Sequence, residues 1–335
     1  MPGASTNLPP LQFGLLAPTH TPLLVRLVQD CYGDSYAHGY LYDSNTLRQL
    51  IEDGMLYCAV ATDTDGRVVA HMAVKQEYRG DRTADNFAGM MLPEYRGQGV
   101  LMQLGTILFP VYESLQLDGL QTATVTHHAF SQKISSNTGT LTVGCLLADS
   151  PGSNADGLQI THRMPILMQF CPLRALAARH VYTTKDYLPL LHRVYRNMQC
   201  PVTVADGVDP ILPASTTEQH VDLRRSTALL RFHTIGSDLA SQIATFAGAT
   251  HDFHASYIDV PLTSSGAPRL MGEANARGWW FGGVIFGRAG TDFLRLQRCA
   301  LPPPASRAGI IDTASRDMAE QILLDHERVS HRRPA

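Results

Sequence analysis

A mixed α/β chain of two domains is what this sequence predicts, and three observations carry the prediction. Along the first 150 residues, runs with strand periodicity alternate with runs of helical spacing. One apolar run, Asn86-Phe-Ala-Gly-Met-Met-Leu92, leads through Pro93-Glu-Tyr into the basic glycine turn Arg96-Gly-Gln-Gly99 and on into a helix over 100–114. Past a turn-rich break at 149–157, the last third reads strand, helix, strand, strand between 255 and 299. With 335 residues and 44% hydrophobic content the chain can fill two cores. The expected division is a polar leader, 1–10, a first α/β domain, 11–173, and a second domain, 174–335.

Residues 12–16 read as a short strand, and 20–31 as a helix with Leu23, Leu24, Leu27 and Val28 on one side. The loop Tyr32-Gly-Asp-Ser-Tyr-Ala-His-Gly-Tyr-Leu-Tyr42 is rich in aromatic and polar groups. A short helix, 43–53, precedes a strand over 55–62. Asp63-Thr-Asp-Gly-Arg67 is a hairpin turn by composition, and 68–75 returns as a strand. Residues 120–126 form a further strand, followed by a helix that ends at Gly139. A strand over 158–170 carries Met164, Ile166, Leu167 and Met168, and strand order can still place it with the first sheet, so the domain boundary is set near Leu173. Beyond it come a helix over 185–198, a poorly patterned stretch at 200–214, and one or two strands within 217–235. The chain then reads strand 255–262, helix 266–277, strands 278–287 and 292–299, and a polar amphipathic helix over 314–332.

The turn at 96–99 has the chemistry of an anion cradle. A helix beginning at Val100 leaves its first backbone N–H groups unpaired and pointing into the turn, where the positive end of the helix dipole adds to them. Gly97 and Gly99 remove the Cβ atoms that keep phosphate oxygens off the amides, and Arg96 supplies a charge-assisted contact. A pyrophosphate suits such a turn. Neither a Gly-x-x-x-x-Gly-Lys-Ser/Thr loop nor a Gly-x-Gly-x-x-Gly fingerprint is present at the turn.

Leu92-Pro-Glu-Tyr-Arg-Gly-Gln-Gly-Val100 resembles the acyl-CoA-binding motif of the GNAT N-acetyltransferase superfamily. The resemblance implies a GNAT-like mixed-sheet domain that uses acetyl-CoA or another acyl-CoA as co-substrate. It assigns Met90, Met91 and Leu92 to main-chain contacts with the pantetheine arm, and Arg96, Gly97, Gln98, Gly99, Val100 and Leu101 to the diphosphate. Met90, Met91 and Met102 are soft enough to adapt to longer acyl chains.

The block Thr126-His-His-Ala-Phe-Ser-Gln-Lys-Ile-Ser-Ser-Asn-Thr-Gly139 resembles the other GNAT signature. The family's Asn, small residue and Tyr fall here on His128, Ser131 and Ser135. Through that resemblance Ser131 joins the coenzyme contacts, and Ser135 stands where a Tyr commonly protonates the departing thiolate. A Ser hydroxyl can only hydrogen-bond or relay through water, because its pKa lies far above the working range of an acid catalyst. The alternative for Ser131, Ser135 and Ser136 is a solvated helix face. His127 and His128 are adjacent, so at most one faces a given pocket, and His128 is the candidate. For the base, Glu77, Asp85 and His128 are the candidates, with a solvated turn charge as the alternative for Glu77. Strand amides would steady the oxyanion.

With 27 basic and 30 acidic residues and no basic run longer than the pairs Arg224-Arg225 and Arg332-Arg333, nothing points to nucleic acid. No unbroken apolar stretch reaches membrane-spanning length, and the start lacks the charged and apolar regions of a signal peptide, so a cytoplasmic location is expected. Cys31, Cys58, Cys145, Cys171, Cys200 and Cys299 are scattered, with no zinc spacing, and are expected to be reduced; no metal is expected.

Phe130-Ser-Gln-Lys133, the Tyr-Gly-x-Ser-Tyr loop, Trp279-Trp-Phe-Gly-Gly283 and Leu294-Arg-Leu-Gln297 resemble a larger, two-part GNAT-like subgroup. No Arg-x-x-Gly-x-Gly precedes the last third, so the second domain is expected to be a degenerate GNAT-like copy that does not bind coenzyme A. Trp279 and Trp280 either line an acceptor pocket or divide between core and surface. The expected partner is a small-molecule amine held by Tyr32, Asp34, Tyr36 and Tyr42 in a cleft between the domains, with a homodimer left open. Two functions follow: an acyl-CoA-dependent N-acyltransferase, acetyl in the first instance, or a non-catalytic acyl-CoA sensor or scaffold.

Overall fold

In the computed structural model, which describes residues 10–126, 129–151, 162–205, 211–299 and 309–331, the described chain divides into two compact units at Leu117/Asp118. The first unit is an antiparallel meander of β1 (Gln12–Leu15), β2 (Leu56–Thr62), β3 (Val68–Lys75) and β4 (Thr83–Met91). Its central hairpin turns where composition says it should. The Asp63 carboxylate accepts the Asp65 and Arg67 N–H groups at 3.0 and 2.9 Å, and Gly66 takes the left-handed conformation, φ 79°. Helix α1 (Thr21–Tyr32) buries Leu24, Leu27 and Val28 and packs on β3 and β4, while Leu23 stays 38% exposed. Helix α2 (Ser44–Glu52) is capped by Asp43, whose side chain accepts from the Asn45 N–H. Helix α3 (Val100–Ser114) buries Val100, Leu104, Leu108, Val111 and Tyr112 and packs on β2 and β3.

The second unit contains an internal repeat. Strand β5 (Gly119–Val125), helix α4 (Phe130–Asn137), and strands β6 (Leu141–Ser150) and β7 (Met164–Pro172) form the first half. The short parallel pair β8 (Arg179–Val181) and β9 (Val202–Val204) brackets α5 (Leu188–Asn197). Then come β10 (Thr216–Asp222), β11 (Thr227–Thr234), α6 (Leu239–Ala249), β12 (Ala255–Pro261), α7 (Ala267–Ala276), β13 (Trp280–Arg288), β14 (Thr291–Cys299) and α8 (Thr313–His331). The sheet order is β5-β7-β6-β13-β14-β12-β11-β10. Strand, helix, strand, strand with its last two strands exchanged in space occurs twice, and the copies meet along β6 and β13.

Glycine makes that junction. Gly144 pairs with Gly283, and a Cβ on Gly144 would lie 2.2 Å from the Gly282 carbonyl oxygen. Buried Gln297 stitches the two copies together. Its amide donates to the Cys145 and Phe281 carbonyls at 2.9 and 3.0 Å and accepts the Leu147 N–H at 2.9 Å. Helix α8 packs over both junction strands. Compactness therefore divides the described chain earlier than the sequence boundary near Leu173, because β6 pairs with β13 and α8 packs on both.

A row of alternating charges also crosses four neighbouring strands in register: Glu218, Arg231, Asp259 and Arg295. Asp259 is fully buried, yet Arg295 at 2.8 Å and Arg231 at 3.0 Å hold its carboxyl below the ordinary range against the opposing effect of burial.

Besides the three-residue strands β8 and β9, two longer elements escape the sequence reading. Strand β6, Leu-Thr-Val-Gly-Cys-Leu-Leu-Ala-Asp-Ser, is buried on both faces and so shows no alternation. Helix α6 is built from small and apolar residues, Leu-Ala-Ser-Gln-Ile-Ala-Thr-Phe-Ala-Gly-Ala, with weak polar contrast. The expected strand over 158–170 is observed from Met164, and 158–161 lie outside the described residues. Trp279 and Trp280 are both core residues, 0% and 3% exposed, with Trp279 between Phe246 and Arg298 and Trp280 against His326. Neither lies at a surface.

Candidate active site

Strand β4 carries an irregularity just before the glycine turn. It pairs with β3 as Ala70↔Met91 and His71↔Met90, then shifts by one residue to Ala73↔Phe87 and Val74↔Asn86. Ala88 and Gly89 are thus set against Met72 alone, and Ala88 takes φ 56°, rare for a residue with a Cβ. Past the bulge the ladder resumes, with the Leu92 N–H donating to the Val69 carbonyl at 3.0 Å. Alternation along an antiparallel ladder then directs the N–H and C=O of Met91 away from β3, while Met90 and Leu92 bond toward it. The side chains of Met90, Met91 and Leu92 are buried at 3%, 7% and 3%, so these positions present main chain rather than side chain. Met102 is 79% exposed.

After one 3-10 turn, Pro93–Tyr95, the chain reaches Arg96 in extended conformation, and Gly97 and Gly99 take φ 79° and 72°. Both glycines adopt a conformation that side-chain-bearing residues resist. A Cβ on either would meet nothing within 4 Å, so the protein itself leaves that space empty. The first hydrogen bonds of α3 are those of Met102 and Gln103, at 3.0 and 3.1 Å, both to the Gly99 carbonyl. The Gly99, Val100 and Leu101 N–H groups precede them and lie beyond the reach of any carbonyl of the helix. No acidic residue sits in the first turn of α3, and residues 96–99 are all exposed. The six turn residues expected from the sequence are therefore contiguous, with Arg96 to Gly99 exposed, Val100 buried and Leu101 half-buried.

The aromatic loop packs beside the bulge within the same unit. Ring centroids run Tyr32 to Tyr36, 4.6 Å, Tyr36 to His38, 5.7 Å, and His38 to Phe87 of β4, 5.4 Å. Tyr42, at the end of the loop, accepts the Tyr36 N–H from its middle at 2.9 Å. Tyr40 lies 6.3 Å from Phe87 with the Lys75 ammonium 5.4 Å from its ring centre, and burial, with Tyr36 and Asp85 nearby, pushes its hydroxyl well above the phenol range. Asp34 is exposed and lines a shallow concavity with Asp30, Cys31, Tyr32, Gly33 and Ser35. His38, Tyr40, Lys75 and Phe87 belong to this cluster and were missed in the sequence, where they look like loop and strand residues; the spacing of aromatics at 36, 38 and 40 was the available signal.

The proton-handling candidates are dispersed. Glu77 is half-buried in the connection between β3 and β4, and Asp85 lies opposite Lys75 in the ladder. His128 lies outside the described residues. Ser131 and Ser135 are on α4 of the second unit, so the chain does not gather all the expected residues within one unit. The solvated-face alternative fails for Ser135, which is 6% exposed, and the buried Ser131 Oγ has no hydrogen-bond partner among the described residues. The reason lies one turn along the chain and far down it: Gln132, 1% exposed, holds α4 down by donating to the Val125 and Gly309 carbonyls. Among the described residues no cluster could hold a metal ion, and no helix is long and apolar enough to cross a membrane.

No protein-family model and no curated protein matches the chain. Solved structures do resemble it. The ribosomal-protein-S5-alanine acetyltransferase of Vibrio fischeri aligns at 10% identity over 48% of this chain and 92% of its own, with a TM-score of 0.39. A GNAT-family acetyltransferase of Streptococcus pneumoniae aligns at 13% identity over 49% of this chain and 100% of its own, with a TM-score of 0.41. The dodecameric spermidine N-acetyltransferase of Vibrio cholerae aligns at 13% identity over 48% and 93%, with a TM-score of 0.39. About half of the chain is similar to GNAT acetyltransferases of known structure, and at these identities and scores no residue role or substrate passes from them to this protein.

Proposed function

We propose that the protein is an acyl-CoA-dependent N-acyltransferase of GNAT type, taking an acetyl group to the amine of a small molecule. The observation that carries the reading is the β4–α3 turn: an exposed stretch, 96–99, at a helix N-terminus, two left-handed glycines with open space where their Cβ atoms would be, and Arg96 alongside. A diphosphate fits these donors, and the main chain of Met91 then lines the path of a pantetheine arm, while the main-chain groups of Met90 and Leu92, also expected to serve there, bond toward β3. In the reaction the amine nitrogen attacks the thioester carbonyl, a C–N bond forms, and the C–S bond breaks. The attacking nitrogen loses one proton and the departing thiolate takes one. Tyr32, Tyr36 and Tyr42, with Asp34 at the rim, are the acceptor contacts in this reading, and Glu77, His128 and Ser135 remain the residues for the protons. The repeat in the second unit supports treating residues 174–335 as a degenerate copy.

Calorimetry with coenzyme A tests the donor site. The Arg96→Ala/Gly99→Val variant, folded by circular dichroism, should bind at least about tenfold more weakly, the worth of one charged hydrogen bond; unchanged affinity contradicts the site. The sensor reading draws on Ser135 standing where an acid is expected. Acceptor-dependent thiol release across a panel of amines separates the two, since a sensor binds the donor and releases nothing.

A further inference from the structure

The β4 bulge rests on one side chain. His71 of β3 is completely buried, and its Nδ1 lies 2.9 Å from the Ala88 carbonyl oxygen. A carbonyl only accepts, so Nδ1 carries the proton and Nε2 is a bare lone pair. That lone pair is buried with no hydrogen-bond partner among the described residues. Burial holds the imidazole neutral, with its pKa lowered to about 4, although the bond to Ala88 opposes the shift.

Three costs thus converge on one peptide unit: a buried unpaired acceptor, a left-handed alanine and a broken ladder. A strand built only for stability would carry none of them. The unit they define is Ala88–Gly89. Because a trans peptide holds C=O and N–H in one plane and pointing in opposite directions, fixing the Ala88 carbonyl on His71 aims the Gly89 N–H the other way. Gly89 is exposed, and a Cβ there would meet nothing within 4 Å.

Resting on the donor reading above, we propose that His71 is a positioning residue for acyl transfer: it locks the Ala88–Gly89 peptide so that the Gly89 amide is presented to the acyl carbonyl of the donor. His71 touches no substrate itself. It works through the peptide it holds.

The test compares His71→Leu, which keeps apolar volume and loses the donor, with His71→Asn, whose side-chain amide nitrogen sits where Nδ1 does. Crystal structures of both, without ligand, read the bulge; calorimetry with acetyl-CoA and with coenzyme A reads the acyl contribution. The leucine variant should lose the Ala88 bulge and bind acetyl-CoA about five- to tenfold more weakly while binding coenzyme A within about twofold of the parent, and asparagine should restore both. Should the leucine variant not fold, His71→Gln, which carries its amide at the Nε2 position, takes its place with the same expectation. A bulge and an acyl contribution that survive in the leucine or glutamine variant overturn the proposal. If the parent protein binds neither thioester nor thiol, the donor reading falls, whereas the crystal structures still decide whether His71 sets the bulge.

Discussion

The chain makes the same strand-to-helix turn twice, and the two turns have opposite fates. At 92–100 the glycines face open space and residues 96–99 are exposed. At 234–239, between β11 and α6, the chain fills its own turn. The Gly236 N–H donates to the Ser215 hydroxyl at 2.9 Å, the Ser237 N–H donates to the Leu212 carbonyl at 2.8 Å, and Asp238 accepts from both the N–H and the hydroxyl of Ser215 at 2.8 and 2.6 Å. A Cβ on Gly236 would lie 2.2 Å from the Ala214 carbonyl carbon. The comparison teaches that a strand-to-helix turn is not in itself an anion site. What decides is whether the chain spends the amides on itself.

Glycine replacement should break the two turns in different currencies. Gly236→Val forces a side chain into backbone and is expected to cost about 3 kcal/mol or more of stability, read by denaturant unfolding, with coenzyme A affinity unchanged in whatever fraction folds. Gly99→Val should lose the ligand and retain the fold. A Gly236 variant of parental stability would show that the second turn is not filled.

Next in size is a pH effect that belongs to the first unit. His71 has an unfolded pKa near 6.5 and a folded one of about 4. The unfolded state therefore binds more protons between those values, so the His71 contribution is complete above pH 6.5 and is lost as pH falls toward 4, amounting to about 3 kcal/mol. His71→Leu should flatten that part of the stability profile. An identical slope in the variant would contradict the neutral buried imidazole.

Smaller effects sharpen the contrast. Ser215→Ala removes the partner of the Gly236 amide and should cost about 1–2 kcal/mol in thermal unfolding without creating a coenzyme A site. Ser135→Ala should lower thiol release only about threefold, since a Ser hydroxyl cannot act as the acid; a loss beyond about a hundredfold, the scale of a true general acid, would restore it to the chemistry.

How much of this was legible depends on how local the cause is. Arg96-Gly-Gln-Gly99 was readable because turn, glycines and helix start lie within a few residues of one another, as were the Asp63 turn and the mixed α/β class. The bulge was not, because it is made by His71 and Ala88, 17 residues apart, and by a left-handed alanine where a sequence suggests glycine. The filled second turn needs Leu212 and Ser215, which sit in a stretch without periodicity. The junction of β6 and β13 depends on Gly144 meeting Gly283, a pairing no local pattern announces. Ser135 reads as a solvated helix residue until Gln132 is seen to hold its helix down.

The central claim is that the first turn keeps its amides for a diphosphate while the second does not. Amide hydrogen exchange, measured with and without saturating coenzyme A, addresses both turns at once. The account predicts slowed exchange across residues 97–101 on binding and no change across 236–239; protection at 236–239, or none at 97–101, would contradict it.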